Sequence, residues 1–397
     1  MNSIAPVHRF RDAPRVTAVG RLALILVLAM AAVLGDARAG RADGPLTLRA
    51  SVPLGYRAHD IIIEGDVAYI ATEKGLTILD ISDRVHPVVR SSEPSTKGNR
   101  SQGLAKKGSH LYLAAGKAGM QVIDVSNLDD PRTIANAWKG GTIYDVAVHP
   151  TGQAAYAISY GGELYVWDIA DPAKPVLTQQ LGVLHWRRVC PTCVGKMLNL
   201  TPSGGAQATG VSTAGNVVSS VDWNYGGYYA WDSTDPLHLT FIGTHRAPVS
   251  FRAEVDLARD VVYVLGTYSK GSGVHTMKLS ELRQDPDHVT YPLYLQPAGT
   301  EACTVCDFEP SAVPMDGGGI GFSGKYVFYA GGRGKGELAI IDATDPAHMV
   351  KVASVPLGPT YIKTAQGMGV AAKGNFLYVA AGMLGVLVYE FPGLSNP

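Results

Sequence analysis

Cysteine is scarce and charge is balanced in this 397-residue chain, which has four cysteines and 34 basic against 34 acidic residues. Four cysteines in so long a chain cannot make a disulfide-stapled miniprotein. An even charge balance argues against nucleic acid or a polybasic membrane surface as partner. Charged residues are only 17% of the chain and hydrophobic ones 46%, which excludes a disordered polymer. Helical periodicity is missing beyond the amino-terminal stretch, and no later segment is long and apolar enough for a membrane helix. A Gly-x-Ser-x-Gly elbow, a three-histidine metal set and a phosphate loop are lacking too. What is present is turn chemistry, with 46 glycines and 24 prolines, and enough Val, Ile, Leu and Tyr for a large core.

The first apolar stretch, Leu22 through Leu34, follows a region carrying Arg9, Arg11, Arg15 and Arg21 and leads into Ala37-Arg38-Ala39. A charged start, a short apolar core and a small-x-small site read as a secretory signal peptide over residues 1–39. As an uncleaved anchor the apolar stretch would be too short to span a bilayer. Cleavage after Ala39 leaves 29 basic against 32 acidic residues, a mildly acidic mature protein. No cysteine near that site takes a lipid, and Arg9-Phe10-Arg11 is not a twin-arginine pair. The expectation is a soluble exported protein, periplasmic or at the cell surface, that leaves the cytoplasm unfolded and without a large cofactor.

One pattern then recurs: a β-rich run with Tyr, a glycine, an apolar run ending in Asp, and an Asp-Pro or its equivalent. Its first copy has Val67-Ala68-Tyr69-Ile70-Ala71 and Gly75-Leu76-Thr77-Ile78-Leu79-Asp80, with Pro87 beyond. Later copies end their apolar runs at Asp124, Asp168, Asp232 and Asp342, the fifth puts Lys278 in that place, and the seventh ends at Glu390. Each copy offers four short strands with turn residues between them, the mark of antiparallel blades. The fourth strands are expected at Pro87–Arg90, Arg132–Trp138, Pro175–Leu181, Leu237–Ile242, His288–Leu295 and Met349–Leu357. The seventh copy ends at Pro397 without one, yet Leu46–Gly55 reads as a fourth strand, and Ala50–Gly55 repeats Ala353–Gly358 residue for residue. A seven-bladed all-β propeller over residues 40–397, closed by its amino-terminal strand, accounts for this displacement. A linear solenoid would leave it unexplained.

Leu76-Thr77-Ile78-Leu79-Asp80, Met120-Gln121-Val122-Ile123-Asp124 and Leu338-Ala339-Ile340-Ile341-Asp342 resemble the LVIVD repeat of exported and cell-surface propellers. The resemblance covers most of residues 46–391, with the fourth and fifth copies departing from it. It implies a propeller at or beyond the cell envelope and transfers no catalytic residues.

The strand-ending positions are spaced by 44 residues from 80 to 124 to 168, but by 64 from 168 to 232 and from 278 to 342. Two crossovers therefore carry about 20 extra residues, near 183–206 and 297–312, and these hold Cys190-Pro191-Thr192-Cys193 and Cys303-Thr304-Val305-Cys306. Both insertions join a fourth strand to the next first strand, so a propeller brings them out on one face. The strands involved stand roughly 16 to 23 Å apart, within reach of twenty residues at about 3.3 Å each. Two CxxC pairs brought together could hold one zinc or iron ion with four thiolates. In an oxidising compartment they could instead form disulfides, or cycle between thiol and disulfide. Covalent haem is disfavoured, because Val194 and Asp307 stand where the motif needs His. His185, Trp186, Arg187 and Arg188 flank the first pair, and Glu301, Asp307 and Glu309 the second, with charges suited to docking one loop on the other.

The innermost strands are expected to line the axial channel with His59, Gln102, Tyr144, Asp145, Arg252 and Gln366. Gly317-Gly318-Gly319 with Gly321 lacks the Lys and strand-to-helix setting of a phosphate cradle and reads as a flexible turn before the sixth Tyr strand. Together these features predict a non-enzymatic binding scaffold, its same-face loops braced by the cysteines and presented to a protein or surface polymer. The alternative is an exported metalloenzyme or thiol-redox enzyme built on the same cysteines.

Overall fold

A strand covered on both faces needs apolar residues at nearly every position, whereas one with a wet face alternates. The second and third strands of the repeats are of the first kind and the fourth strands of the second. The computed structural model describes residues 46–95, 103–182, 208–222, 227–245, 249–268, 271–282, 318–331, 336–357 and 369–395. After β1 (Thr47–Val52), the first blade is β2 (Ala58–Glu64), β3 (Val67–Thr72), β4 (Gly75–Asp80) and β5 (Val88–Pro94). The second is β6 (Leu104–Lys107), β7 (His110–Ala114), β8 (Met120–Asp124) and β9 (Arg132–Ala137), and the third β10 (Ile143–Val148), β11 (Ala154–Ser159), β12 (Glu163–Asp168) and β13 (Val176–Gly182). The fourth comprises β14 (Ala208–Ala214), β15 (Val217–Asp222), β16 (Gly227–Asp232) and β17 (Thr240–His245). The fifth shows β18 (Val249–Asp256), β19 (Val261–Tyr268) and β20 (Gly271–Lys278), and its expected fourth strand at 288–295 lies outside the described residues. The sixth is β21 (Gly318–Ser323), β22 (Tyr326–Gly331), β23 (Glu337–Asp342) and β24 (Val350–Pro356). The seventh is β25 (Val370–Lys373), β26 (Phe376–Ala380) and β27 (Val386–Glu390), with β1 in fourth place. The protein is an all-β, seven-bladed propeller of antiparallel sheets.

Seven hydrophobic clusters fill the seven spaces between neighbouring blades. Ile70 and Leu79 of the first blade pack with Tyr378 and Val388 of the last, closing the ring. Tyr69, Tyr112, Tyr156, Tyr263, Tyr329 and Tyr378 are all buried in the second strands. Burying one such large side chain stabilises the fold by about 1.5–3 kcal/mol.

The Asp that ends each third strand caps the following turn. Asp80 Oδ1 accepts from the Ser82 amide (2.8 Å) and hydroxyl (2.6 Å), and Asp232 and Asp342 do the same with Thr234 and Thr344. Where Lys278 replaces Asp, Asp260 in the preceding hairpin supplies the carboxylate, accepting the Ser280 amide at 2.9 Å. In the seventh blade Glu390 faces Arg49 of β1 at 2.6 Å instead, so the terminal acid secures the closing strand.

Closure is seen in the backbone as well. β1 runs antiparallel to β27 with Val52 opposite Val386 and Thr47 opposite Glu390. Gly385 has φ +78°, and a Cβ there would lie 2.1 Å from the Val52 carbonyl oxygen. Gly75 is in the same position against Glu93 O of a continuous blade, at 2.3 Å. The glycine of the repeat thus lets the fourth strand approach the third, and β1 meets the requirement like any other fourth strand.

Two sequence expectations need correction. The fourth blade's outer strand starts at Thr240 and not at Leu237, because the Leu237 amide bonds Asp235 Oδ1 (3.1 Å) and the His238 amide bonds Asp235 O (3.2 Å), which holds both in the turn. Gly318 to Gly321 are not a flexible turn but lie in β21, the innermost strand of the sixth blade. A Cβ on Gly318 would meet the Leu265 side chain at 2.6 Å and one on Gly321 the Phe328 ring at 2.6 Å, so neighbouring side chains fill the space beside those two glycines.

Candidate functional site

Counting back four residues from the last residue before each first hairpin gives one structurally equivalent position per blade. The seven residues are Asp60, Gly103, Asp145, Gly210, Arg252, Gly319 and Gly369, paired in the hairpins with Ala71, Ala114, Ile158, Val221, Leu265, Ala330 and Ala380. This ring carries three long polar side chains and four glycines. Arg252 crosses the axis, its Nη2 donating to Asp60 Oδ2 at 2.8 Å while Nη1 lies 3.3 Å from Asp145 Oδ2. Asp145 also accepts the Val146 amide (2.9 Å) and, from the next blade, the Val211 amide (3.0 Å). The glycines make room, since a Cβ on Gly103 would lie 1.7 Å from Asp145 Oδ1 and one on Gly369 2.2 Å from Asp60 Oδ1. One guanidinium thus joins blades one, three and five across the channel.

A bulge puts these groups on the axis. The pairing slips between Ala58 and Asp60, between Ile143 and Asp145 and between Ser250 and Arg252, so one extra residue sits on each innermost strand. Such a bulge re-aims the next side chain. His59 and Tyr144, expected in the channel, are the extra residues. His59 is buried, and Tyr144 stands beside Tyr160, ring centroids 6.0 Å apart. Asp145 and Arg252 are where the sequence places them. Gln102 and Gln366 lie outside the described residues.

Along the channel from Arg252 is a cavity of about 640 Å³, lined by residues of all seven innermost strands. The layer two residues beyond the ring consists of Ile62, Ala105, Ala147, Ser212, Glu254, Gly321 and Ala371, with Glu254 its only ionisable group. Farther along, Lys106 pairs with Glu64. Burial pushes the Asp145 carboxyl up to about 6 against the pull of Arg252. It pushes Glu254 up to about 7, again opposed by Arg252 and helped by Asp145 and Asp60. Sequence reasoning missed Asp60, Glu254 and the glycine ring. Aligning the copies backwards from the first hairpin would have found them.

Strand order puts the starts of the innermost strands, the second hairpins and the blade-to-blade crossovers on one face. On it Trp138 is 55% and Tyr160 43% exposed. The Trp138 indole N–H donates to Gly141 O at 3.4 Å, fixing the ring at the rim of blades two and three. Cys190, Cys193, Cys303 and Cys306, with His185, Trp186, Arg187, Arg188, Glu301, Asp307 and Glu309, lie outside the described residues. Among the described residues no three His, Cys, Asp or Glu side chains are grouped to hold a metal ion, and no helix is long and apolar enough to cross a membrane.

The LVIVD repeat family matches residues 55–92, 98–136, 316–356 and 366–388. No curated protein matches the chain in sequence. Among solved structures, the Cps50 (Swd1) β-propeller domain of Myceliophteria thermophila is similar with a TM-score of 0.57 at 12% identity, over 86% of this chain and 98% of that one. The computationally designed Ika8 protein has a TM-score of 0.54 at 11% identity, over 87% and 100%. A protein from Lactobacillus plantarum has 0.55 at 13%, over 81% and 87%. These three similarities are of fold alone.

Proposed function

We propose, from the premise that this chain is an LVIVD-repeat β-propeller, that it is an exported binding scaffold whose crossover face takes a protein or surface polymer. The observation that carries this reading is Trp138 with Tyr160, large aromatic surfaces left exposed just beyond the outer strand β9 and the buried strand β11. Such rings give contact area at little entropic cost, and they are the residue types in which binding energy concentrates. Export rests on the charged start, short apolar core and Ala37-Arg38-Ala39 of the sequence. Residues 183–207 join the end of β13 to the start of β14, and residue 317 leads into β21, all strand ends on this same face. On this reading the four cysteines brace it, either as a four-thiolate zinc or iron site or as disulfides.

The test is sedimentation of the mature protein with purified cell-wall polymer and, separately, with solubilised envelope proteins. Retention by one of them that is lost in Trp138→Ala and Tyr160→Ala, with melting unchanged, supports the reading. Retention by neither, or equal retention of both variants, overturns it. Metal analysis with thiol titration assigns the brace. One metal per chain with four masked, unoxidised sulfurs marks the ion site, and no metal with four oxidised sulfurs marks disulfides.

A further inference from the structure

The channel holds three acids and one base near its plug. Arg252 is engaged by Asp60 and Asp145 together, and at the far end Lys106 and Glu64 satisfy each other. Glu254, two residues along β18 from Arg252 and so on the same side of the strand, has no hydrogen bond or ion pair among the described residues. Its layer offers no spare donor, because the one hydroxyl there, on Ser212, donates to Ala253 O at 2.8 Å. The rest of that layer is hydrocarbon or glycine. An acid lining this cavity with no hydrogen-bonded partner among the described residues, and only the through-space pull of Arg252, is costly to ionise. The cavity, about 640 Å³, falls within the usual range for small-molecule sites.

We infer that the axial cavity binds a small organic ammonium ion, its N–H groups donated to the Glu254 carboxylate and its hydrocarbon part lying against Ile62, Ala147 and Ala371. An anion is disfavoured, because the only cation on the plug already serves two carboxylates and the local charge is negative. A bare metal ion would have too few oxygen ligands among these walls. An alkylammonium satisfies both conditions, with charge at one end and an apolar body for the remaining wall. This site is separate from the crossover face, so Trp138→Ala should leave it intact.

The test is calorimetric titration of the mature protein with n-butylammonium chloride, with sodium butyrate as the anionic control. The expected result is saturable one-site binding of the ammonium and none of butyrate. Because burial holds Glu254 up to about 7, binding at pH 6 should be weaker than at pH 8 by about tenfold, with proton release near pH 7. Glu254→Gln should weaken binding at least about tenfold, the loss of a desolvated charge pair. A second measurement needs no variant: in ¹³C-glutamate NMR of the wild type, n-butylammonium should lower the titration of Glu254. Absence of saturable binding, equal binding of butyrate, unchanged affinity in Glu254→Gln or an unmoved glutamate titration would each overturn the site.

Discussion

Arg252 on the fifth blade donates from Nη2 to Asp60 Oδ2 on the first at 2.8 Å, a contact between residues 192 apart in sequence. Its other nitrogen, 3.3 Å from Asp145 Oδ2, extends the bridge to the third blade. Burial works against the Arg252 charge, but the Asp145 and Asp60 carboxylates more than offset that and hold the group above the ordinary arginine value. The two acids are nearly sealed, with side-chain exposures of 8% for Asp60 and 1% for Asp145. Removing the guanidinium as Arg252→Met therefore leaves two buried carboxylates facing each other. A loss of about 3–5 kcal/mol at pH 8 is expected. At pH 5 the loss should shrink, because Asp145, held up to about 6 by burial, then takes up a proton. Denaturant melts of both proteins at the two pH values check this, and an equal loss at both would refute the bridge as a charge device.

The copies, their number and the displaced closing strand were legible because each depends on local pattern: Tyr in a doubly buried strand, Asp at its neighbour's end, and Ala50–Gly55 repeated at 353–358. The axial ring was only half legible. A bulge adds one residue without changing the apolar alternation around it, so His59 and Tyr144 looked as eligible for the axis as Asp60 and Asp145. Gly318, Gly319 and Gly321 misled for a related reason. In isolation a glycine run means a turn, and only its pairing with β22 and the packing of Leu265 and Phe328 against Gly318 and Gly321 show a strand.

The glycines of the ring are the source of a second prediction. Gly103→Ala puts a methyl 1.7 Å from Asp145 Oδ1 and should cost about 1–3 kcal/mol. Gly369→Ala meets Asp60 Oδ1 at 2.2 Å but also the backbone, Asp60 Cα at 2.6 Å and the Ile61 amide at 2.7 Å. The two should behave differently in double-mutant cycles. Asp145→Ala should recover much of the Gly103→Ala cost, whereas Asp60→Ala should recover little of the Gly369→Ala cost. Thermal midpoints of the four singles and two doubles decide it, and matching recovery in the two pairs would contradict the geometry.

Glu254 and Asp145 set the sign of a pH effect. Their folded values, about 7 and about 6, lie above the ordinary 4.5 and 3.8, so between those limits the folded chain binds more protons than the unfolded one. Stability from these groups is therefore complete below about pH 4 and is lost as pH rises through 6 to 7. Glu254→Gln removes its share of that loss. The variant should match wild type near pH 4.5 and melt at a higher temperature at pH 8, with the gap opening between the two. Differential scanning calorimetry across this range tests the sign, and a gap that closes as pH rises would reject it.

Closure by β1 predicts where the ring opens. Gly385→Ala both strains a φ of +78° and drives a methyl to 2.1 Å from Val52 O, so it should push β1 away from β27. Gly75→Ala, at 2.3 Å from Glu93 O, is its counterpart within the continuous first blade. Amide exchange distinguishes their consequences. In Gly75→Ala faster exchange should stay within β4 and β5, which the chain itself keeps tethered. In Gly385→Ala it should spread through β1 and β27, because nothing in the chain joins those two strands directly and the amino-terminal strand can leave altogether. A chain beginning at Gly55 takes the same change to its limit, exposing the β27 edge from Val386 to Glu390 to other copies. It should sediment as larger species than the full chain, whereas Gly75→Ala should sediment as the full chain does. If the truncated chain instead sediments and melts like wild type, β1 does not close the ring.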